Sequence, residues 1–362
     1  MKIIHLCDIT NSKNSGVSVI VPQYVEHQSK WADVLLRNVN DEVVVPVSGK
    51  YKNIRMDTDI GKLEDGFDKP DLIIIHDVYS VRLLRYYFEH IKGKYKYITI
   101  PHGALMKASQ KKSRLKKMVA NMLLYREYFS KALAVQYLSE AENRGSIHYN
   151  EHCLVIPNGI SVPEEKFCRP NCGNDFSIVY VGRIAPLQKG LDLLIEAVAI
   201  DKDFFINNNI KINLYGSDYK RGATYLRKLI SSFELDDIIM LNADGIYGVE
   251  KKDVLMNSDL FVQISRWEGM PSGILEALSL GLPVVVSSET GMAEDVLMTE
   301  CGYVSKLDAM SILQTIKAAF YKRGNLETLS SNAYKLSKKY DWNTVSERTI
   351  KEYERIVFAQ DR

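Results

Sequence analysis

Short runs of apolar residues recur along the first half of the chain and alternate with longer segments of mixed polarity. Each run is only a few residues long and apolar almost throughout, which is typical of parallel strands buried on both faces. Residues 17–36 carry the apolar spacing of a helix instead. The pattern predicts strands at residues 2–6, 43–47, 72–75, 97–100, 132–138 and 153–156.

The same alternation restarts after a segment of different texture. Residues 158–175 contain glycine and proline with little periodicity, which indicates an inter-domain linker. Asn343 is expected to cap a last helix that runs to about Val357. Beyond the linker, the pattern predicts strands at residues 178–181, 211–215, 238–241, 260–264 and 284–286.

Two consecutive βαβ arrays predict an α/β protein with two doubly wound, Rossmann-like domains that face each other across a cleft. We place the N-terminal domain at residues 1–160, the linker at 161–175 and the C-terminal domain at 176–340. The length of 362 residues also favours two domains over one.

Composition narrows the classes of function. The net charge is only +2, so nucleic acid is not an expected partner. The first residues lack the pattern of a signal peptide, and no apolar run is long enough to cross a membrane, so we expect a cytoplasmic protein. The five cysteines are scattered and predict free thiols. Cys168 and Cys172 have no second ligand pair that would complete a zinc site.

Two carboxylates lie where ligands bind in an open parallel sheet. Glu268 follows the predicted strand at 260–264, and Glu276 lies within the helix that comes next. The crevice at the carboxyl ends of such strands is the usual ligand site, and carboxylates accept hydrogen bonds from sugar hydroxyl groups. The spacing alone also allows a general acid and base, as in a glycosidase.

Two cations occupy the loop that follows the first strand of the second array. Arg183 and Lys189 lie between that strand and a helix, where a helix N-terminus and its free N–H groups favour an anion. Two solvated surface cations are the alternative for such a pair considered alone. The loop position and the downstream glutamates favour anion binding.

At these positions the chain resembles the family 4 glycosyltransferases, which are retaining enzymes of the GT-B fold. The matches are Gly182-Arg183, Lys189-Gly190 and the stretch from Glu268 to Glu276 with residues 277–285 after it. Further matches lie in order along the chain, at residues 15–17, 101–103, 156–159 and 340–343. The last of these resembles the start of a crossover helix, which implies that residues 341–362 pack back on the N-terminal domain.

The resemblance implies a role for each matched residue. Arg183 and Lys189 would hold the diphosphate of the donor, Glu276 the ribose hydroxyls and Glu268 the hydroxyls of the sugar. His102 would reach the transferring sugar from the first domain. The remaining donor contacts would come from Gly16, where only glycine lets the backbone approach a phosphate closely, and from the backbone of Met270, Pro271, Ser272 and Gly273.

The chain departs from the family pattern in two places. Ser15 stands where relatives often carry the first of two glycines, and Pro271 stands where many carry glycine. Proline is tolerated in the first turn of a helix, so we expect the helix start to persist.

A metal ion is not expected as a cofactor. Two fixed cations and a helix N-terminus can neutralise a leaving diphosphate as magnesium does. The Asp-x-Asp triplets at 57–59 and 201–203 follow no convincing strand and are interpreted as loop charges. Retention of the anomeric configuration of the sugar is implied by the resemblance. Because the family places Glu268 against hydroxyl groups, we favour a front-face reaction in which the departing phosphate takes the acceptor's proton.

Two other features leave functional and structural interpretations open. His76 and Asp77 follow a predicted strand and either border the acceptor or anchor a loop, whereas His5 is interpreted as a core residue. The basic segment 107–117 precedes apolar positions at 118–124. It suits either an anionic membrane surface at the inner face of the membrane or a solvated helix with a buried stripe.

The sequence thus predicts a hexosyltransferase that uses a UDP- or GDP-sugar and a glycan or lipid-linked glycan acceptor. The expected setting is surface polysaccharide biosynthesis, such as lipopolysaccharide or O-antigen assembly. The alternatives are a GT-B sugar-nucleotide epimerase and a non-catalytic binding subunit of GT-B shape. A dinucleotide dehydrogenase is disfavoured because no Gly-x-Gly-x-x-Gly follows an early strand.

Overall fold

The computed structural model describes residues 1–10, 16–40, 50–53, 58–111, 118–166 and 175–359, with residues 50–53 described by their backbone alone. The chain divides into two compact units. Unit 1 comprises Met1–Gly159 and Trp342–Arg362, and unit 2 comprises Ile160–Asp341. The chain therefore leaves unit 1 after Gly159 and returns to it at Trp342, and the described part of the predicted linker segment belongs to unit 2.

Unit 1 is built on a seven-stranded parallel sheet in the order β3-β2-β1-β4-β5-β6-β7. The central strands are buried on both faces, as the continuous apolar runs predict. The strands are β1 (Lys2–Cys7), β2 (Asp33–Asn38), β3 (Lys50–Asn53), β4 (Leu72–His76), β5 (Tyr97–Ile100), β6 (Ala134–Tyr137) and β7 (Cys153–Val155).

The helices of unit 1 include two π-helical turns, Tyr87–Ile91 and Asn121–Tyr125. The first continues α2, and the second leads into α4. The helices before the linker are α1 (Gly16–Gln28), α2 (Val81–Tyr86), α3 (Lys107–Gln110), α4 (Arg126–Ser130) and α5 (Glu140–Gly145).

Unit 2 is a six-stranded parallel sheet in the order β10-β9-β8-β11-β12-β13. Its strands are β8 (Phe176–Val181), β9 (Ile210–Tyr215), β10 (Ile239–Asn242), β11 (Leu260–Gln263), β12 (Val284–Ser287) and β13 (Gly302–Ser305). Its helices are α6 (Pro186–Lys189), α7 (Leu191–Ile200), α8 (Lys202–Asn207), α9 (Gly222–Ser232), α10 (Gly248–Met256), α11 (Ser272–Ser279), α12 (Ala293–Met298), α13 (Ala309–Tyr321) and α14 (Leu326–Lys339).

The last helix, α15 (Trp342–Ala359), packs against α1 within unit 1. Trp342 is buried, stacks on His27 with ring centroids 5.0 Å apart and donates its indole N–H to Gln23 Oε1 at 3.1 Å. A Cβ at Gly159 would lie 2.2 Å from the Trp342 ring, so only glycine fits there. Burial of this aromatic side chain fixes the first turn of the helix on unit 1.

Helix α1, strand β2 and the start of α15 differ from the sequence-based prediction. The helix predicted for residues 17–36 ends at Gln28, and Asp33–Asn38 form β2. The tripeptide Val34, Leu35 and Leu36 belongs to a strand paired with β1, and this long-range pairing overrides the local helical spacing. Asn343 lies inside α15 and accepts a hydrogen bond from Lys30, so its prediction as the helix cap is wrong.

Two strands, β3 and β13, were missed, because Lys50–Asn53 is largely polar and Gly302–Ser305 is only partly buried. The strand predicted at 43–47 lies outside the described residues.

Candidate functional site

The candidate site lies at the carboxyl edge of the unit 2 sheet, where β8 and β11 are neighbours. From β8 the chain builds β9 and β10 on one side of the sheet, and β11 to β13 extend it on the other. Loops after two such strands diverge and leave a crevice, the usual ligand site of an open α/β sheet. The predicted cations follow β8 and the predicted carboxylates follow β11, so both groups flank this switch point.

Gly190 brings the two loops together. It ends α6 with a left-handed φ of 65°, and a Cβ at this position would lie 1.8 Å from the carbonyl oxygen of Ile264. Only glycine allows this backbone approach to the end of β11. As a result Lys189 Nζ lies 2.8 Å from Glu268 Oε2, and both side chains are largely shielded from solvent.

Arg183 is held on the same loop by a neutral ring and a neutral amide. Its guanidinium carbon lies 4.5 Å from the centroid of the Tyr219 ring, and Nη2 donates to Gln188 Oε1 at 3.1 Å. Within the described part of the chain Arg183 has no carboxylate partner. A half-buried guanidinium with neutral partners keeps donors for a bound anion.

Arg266 is a structural residue of the site that sequence reasoning missed. It forms a bidentate pair with the buried Asp192, at 2.7 and 2.8 Å, and donates to the carbonyl of Leu187 at 2.7 Å. The hydrogen bonds to Asp192 raise the pKa of Arg266. This pair ties the loop that carries Glu268 to α6 and α7. Nothing local in the sequence indicates that the two residues meet.

The backbone around Glu268 is clamped from its other side. The carbonyl of Glu268 accepts the N–H of Gly291 at 3.0 Å, and Ser287 Oγ donates to the carbonyl of Ser265 at 2.6 Å. Ser287 Oγ also lies 3.0 Å from the hydroxyl of Thr290. The Glu268 carboxylate therefore projects from a loop fixed at several points.

The predicted stretch Met270 to Gly273 forms the entry to α11. Met270 and Pro271 are buried, and Pro271 precedes Ser272, the first helical residue, in an extended conformation. The first amide groups of a helix have no intrahelical partner, and no side chain caps this one. A Cβ on Gly273 would sit 3.0 Å from the carbonyl of Val181, so glycine lets the helix start close to the end of β8.

Glu276 has a partner that the sequence did not indicate. Lys251, on α10, lies with its Nζ 2.6 Å from Glu276 Oε2. Both side chains are about a quarter exposed. The edge of unit 2 thus carries two lysine–glutamate pairs, and each carboxylate predicted to bind hydroxyl groups is in contact with a lysine.

Unit 1 collects its predicted residues at its own switch point, between β1 and β4. Gly16 begins α1 after β1, and a Cβ there would meet no described atom within 4 Å. The neighbouring Ser15 of the predicted glycine loop lies outside the described residues. His102 follows β5 with a left-handed φ of 48°.

The side chain of His102 is the outer member of a row of histidines. Its Nε2 lies 3.0 Å from His76 Nδ1, and His76 Nε2 lies 2.7 Å from His5 Nδ1. His5 Nε2 in turn lies 3.0 Å from Gln28 Oε1. Burial lowers the pKa of His5 and of His102 to about 4, and burial together with the two flanking histidines lowers the pKa of His76 well below its usual value.

Asp77 plays a different part from the one a His–Asp pair would have. Its carboxylate accepts the N–H of Val78 at 2.7 Å, whereas His76 bonds to the other histidines. Burial raises the pKa of Asp77 to about 6. His5, interpreted as a core residue, is fully buried and belongs to the histidine row.

The acidic triplets have local structural roles where they are described. Asp59 caps the short 3-10 helix Ile60–Lys62, and Asp201 caps α8 and pairs with Lys317. Among the described residues, no three His, Cys, Asp or Glu side chains come together as a possible metal site. Cys168, Cys172 and Asp57 lie outside the described residues.

The basic segment is described only at its start. Lys107 and Lys111 belong to the described residues, whereas Lys112, Arg114, Lys116 and Lys117 do not. The apolar side chains that follow are exposed, including Met118, Met122, Leu123 and Leu124. No described helix is long and apolar enough to cross a membrane.

Beside this apolar surface, unit 1 contains an open pocket of about 1160 Å³. Its lining combines the thioethers of Met118 and Met122 with the guanidinium-bearing side chains of Arg126 and Arg144.

Comparison with known proteins assigns unit 2. Residues 162–336 match the family described as "Glycosyl transferases group 1". Unit 2 is a group 1 glycosyl transferase domain. The predicted resemblance to family 4 glycosyltransferases is confirmed by this match and by relatives that are themselves glycosyltransferases.

One such relative is an uncharacterized glycosyltransferase of Methanocaldococcus jannaschii, 26% identical over 74% of this chain and 68% of its own length. Another is the Escherichia coli enzyme named UDP-Gal:alpha-D-GlcNAc-diphosphoundecaprenol alpha-1,3-galactosyltransferase, 30% identical over 38% of this chain and 37% of its own length. Several further relatives are matched over 45% or less of their length.

Among solved structures, sucrose-phosphate synthase from Thermosynechococcus elongatus is similar in fold, with a TM-score of 0.75 at 18% identity. The match covers 99% of this chain and 100% of that one. The predicted fold class, GT-B with two Rossmann-like domains, is confirmed by the two parallel sheets and by this structural likeness.

Proposed function

We propose that this chain is a retaining glycosyltransferase that works without a metal ion. It moves a hexose-type sugar from a UDP- or GDP-sugar to a glycan or lipid-linked glycan acceptor in surface polysaccharide biosynthesis. The observation that carries the proposal is the contact between Lys189 and Glu268 at the switch point of unit 2. A cation suited to phosphate and a carboxylate suited to hydroxyl groups are in direct contact there.

The diphosphate of the donor would bind to Arg183, Lys189 and the start of α11. Arg183 has neutral partners and keeps N–H groups that can donate to a phosphate. The first N–H groups of α11 and the positive end of its helix dipole also favour an anion. These groups would stabilise the charge that develops on the leaving diphosphate. They supply the electrostatic function for which many transferases use magnesium.

The two carboxylates would recognise hydroxyl groups at the two ends of the donor. In the structure Lys189 pairs with Glu268, and Lys251 pairs with Glu276. A bound diphosphate would compete for Lys189 and leave Glu268 free to accept hydrogen bonds from the sugar. Glu276, whose carboxylate contacts Lys251, would accept from the ribose. His102 would accept or donate a hydrogen bond at the transferring sugar.

The transfer step proposed here is a front-face substitution. The bond between the anomeric carbon and the phosphate oxygen breaks, and its electron pair stays on the diphosphate. The acceptor oxygen bonds to the same face of that carbon, and its proton passes to an oxygen of the departing diphosphate. No protein base is needed, because the departing diphosphate takes the proton of the acceptor.

The acceptor would bind in unit 1. The pocket lined by Met118, Met122, Arg126 and Arg144 offers apolar and cationic surface together, which suits an acceptor that joins a lipid to a diphosphate. The named acceptor of the E. coli relative, a diphosphoundecaprenol-linked sugar, is of this chemical type. Contact with an anionic membrane through the basic segment 107–117 belongs to the same proposal.

A thermal-shift screen of sugar nucleotides in the presence of EDTA tests the donor proposal. One UDP- or GDP-sugar should raise the melting temperature, because a ligand that binds only the folded state stabilises it. The Glu276→Ala and Lys189→Ala variants should lose most of that shift. Absence of any shift in the native protein would contradict the proposal.

Product analysis distinguishes a transferase from the two alternative functions, an epimerase and a non-catalytic subunit. A transferase consumes the donor only when a lipid-linked or glycan acceptor is present, and NMR of its product should show the donor's anomeric configuration. Donor conversion without an acceptor would favour the epimerase. Binding without turnover on any acceptor would favour a non-catalytic subunit. A covalent sugar adduct on Glu268, detected by mass spectrometry, would replace the front-face step with a double displacement.

A further inference from the structure

A continuous row of hydrogen-bonded side chains crosses the core of unit 1. It runs from Gln28 at the end of α1 to His5 in β1, His76 at the end of β4 and His102 after β5. The successive distances are 3.0, 2.7 and 3.0 Å. Gln28, His5 and His76 are fully buried, and only His102 is partly exposed.

A row of neutral imidazoles can carry its protons in only two ways. Each neutral ring has one N–H donor and one bare nitrogen acceptor, so a donor at one link forces the same direction at every other link. In one direction every ring donates inward, and the outer nitrogen of His102 is bare. In the other direction every ring donates outward, and that nitrogen carries a proton.

The end residue selects the direction. Gln28 faces His5 with its carbonyl oxygen, which can only accept, so His5 Nε2 must donate. His5 Nδ1 is then the acceptor for His76 Nε2–H, and His76 Nδ1 is the acceptor for His102 Nε2–H. The Nδ1 of His102 is left without a proton.

We propose that Gln28, acting through His5 and His76, fixes His102 in the tautomer that presents a bare Nδ1 to a hydroxyl group of the substrate sugar. The identity of that substrate rests on the proposed function, whereas the proton order of the row does not. Gln28, His5 and His76 are positioning residues, and His102 is the group that meets the sugar. A sugar hydroxyl would therefore be read at this position as a hydrogen-bond donor.

The environment keeps the row neutral and fixed. Burial lowers the pKa of His5 and His102 to about 4, so neither ring is protonated near neutral pH. The loop of His102 is anchored by the buried Glu142, which accepts the N–H of Gly103 at 2.6 Å and that of Leu138 at 2.8 Å. His102 and Gly103 both have left-handed backbones, with φ of 48° and 79°, so this ring position is imposed by its surroundings.

Two-bond ¹H–¹⁵N NMR spectra of the uniformly ¹⁵N-labelled, full-length protein at pH 7.5 test the proton order directly. The chain contains seven histidines, and His102→Asn, His76→Asn and His5→Asn spectra assign the three signals. We expect each of the three rings to be the neutral Nε2–H tautomer. An Nδ1–H tautomer for His102 in the native protein would overturn the proposal, whether or not any variant folds.

Two substitutions of Gln28 test its control over the row. Gln28→Glu keeps an acceptor oxygen of the same reach at the inner end and, with His5 neutral, should preserve the Nε2–H signal of His102. Gln28→Met keeps the length of the side chain but removes the acceptor, so a second set of histidine signals should appear. Transfer should then fall about tenfold in kcat, the effect of one lost hydrogen bond to the sugar.

The donor site provides the control. The thermal shift produced by the free nucleoside diphosphate should be unchanged in Gln28→Met, since Arg183, Lys189 and the start of α11 lie in unit 2 and Gly16 lies at the opposite end of α1 from Gln28. A single Nε2–H tautomer together with native kcat in Gln28→Met would contradict control by Gln28. If the native protein shows the expected tautomers but transfers no sugar to any acceptor, the proposed function fails and the proton order stands.

Discussion

The ammonium of Lys189 lies 2.8 Å from the carboxylate of Glu268, although 79 residues separate them in the chain. The first residue ends the short helix α6 and the second follows β11, and Gly190 makes the approach possible. The pair is mostly shielded from water, so its electrostatic interaction is stronger than that of an exposed pair. The diphosphate of the proposed donor would compete with this carboxylate for Lys189.

Replacement of Lys189 by alanine should weaken binding of the nucleoside diphosphate about 10- to 100-fold, because one charge-assisted hydrogen bond to phosphate is lost. Isothermal titration calorimetry with UDP and GDP measures the effect. Lys202→Ala is a matched control, since Lys202 also pairs with a glutamate at 2.8 Å, but in a pair that is more exposed to solvent. Equal affinities in Lys189→Ala and the native protein would remove Lys189 from the diphosphate site.

Glu276 should recognise the ribose, and a double-mutant cycle can isolate that contact. Removal of a ribose hydroxyl from the nucleotide should cost the native protein about tenfold in affinity, the value of a hydrogen bond to a charged group. The same 2′-deoxy and 3′-deoxy nucleotides should bind to Glu276→Ala as well as the parent nucleotide does. A penalty that persists in the variant would assign the ribose to another residue.

Lys251 supplies a second variant for the same cycle. Its ammonium lies 2.6 Å from Glu276, so Lys251→Met should leave the carboxylate in place but without its cation. Ribose discrimination should then persist.

The positions of the candidate-site loops were predictable because their information is local. Arg183, Lys189 and the Glu268 to Glu276 stretch each lie directly after a short apolar strand, a pattern visible in the sequence. Other contacts arise only from the order of the strands in each sheet, which the sequence does not show locally. They are the pairs Arg266–Asp192 and Lys251–Glu276 and the row of histidines. β2 was missed for the same reason, since its pairing with β1 overrides its helical spacing.

Buried histidines should make unit 1 sensitive to mild acid. The pKa of His5 is lowered from 6.5 to about 4 in the folded chain, so the unfolded chain binds more protons between these values. The free energy of unfolding therefore falls as the pH drops from 7 to 4, by about 3 kcal/mol for His5 alone. Asp77 acts in the opposite direction, because its pKa is raised to about 6 in the folded chain. The lowered pKa values of three histidines outweigh this one carboxyl group.

Urea unfolding of the native protein and of His5→Asn at pH 7.5, 6.0 and 5.0 measures the contribution of His5 to this pH dependence. The variant should be less stable at pH 7.5 but should lose less stability as the pH falls. His148→Asn serves as the control, because His148 is exposed and lies outside the row. Parallel losses in His5→Asn and the native protein would show that His5 is not buried as a neutral ring.

Gly190 should be the glycine of the candidate site that least tolerates a side chain. Gly190→Ala faces two costs, a left-handed φ of 65° and a Cβ placed 1.8 Å from the carbonyl oxygen of Ile264. Gly248 offers a matched control, since its φ of 58° is similar but no atom lies within 4 Å of a Cβ there. In Gly248→Ala the free energy of unfolding should therefore fall by about 1 kcal/mol, the cost of a left-handed backbone at alanine. In Gly190→Ala it should fall several times as much.

The two variants also separate stability from binding. In Gly190→Ala the carbonyl of Ile264 must move, and with it the spacing between Lys189 and Glu268, so nucleotide affinity should fall together with the melting temperature. Gly248→Ala should bind nucleotide normally once its smaller loss of stability is taken into account. Equal losses of stability in the two variants would show that the loop absorbs the Cβ, and the close approach would then not be what brings Lys189 to Glu268.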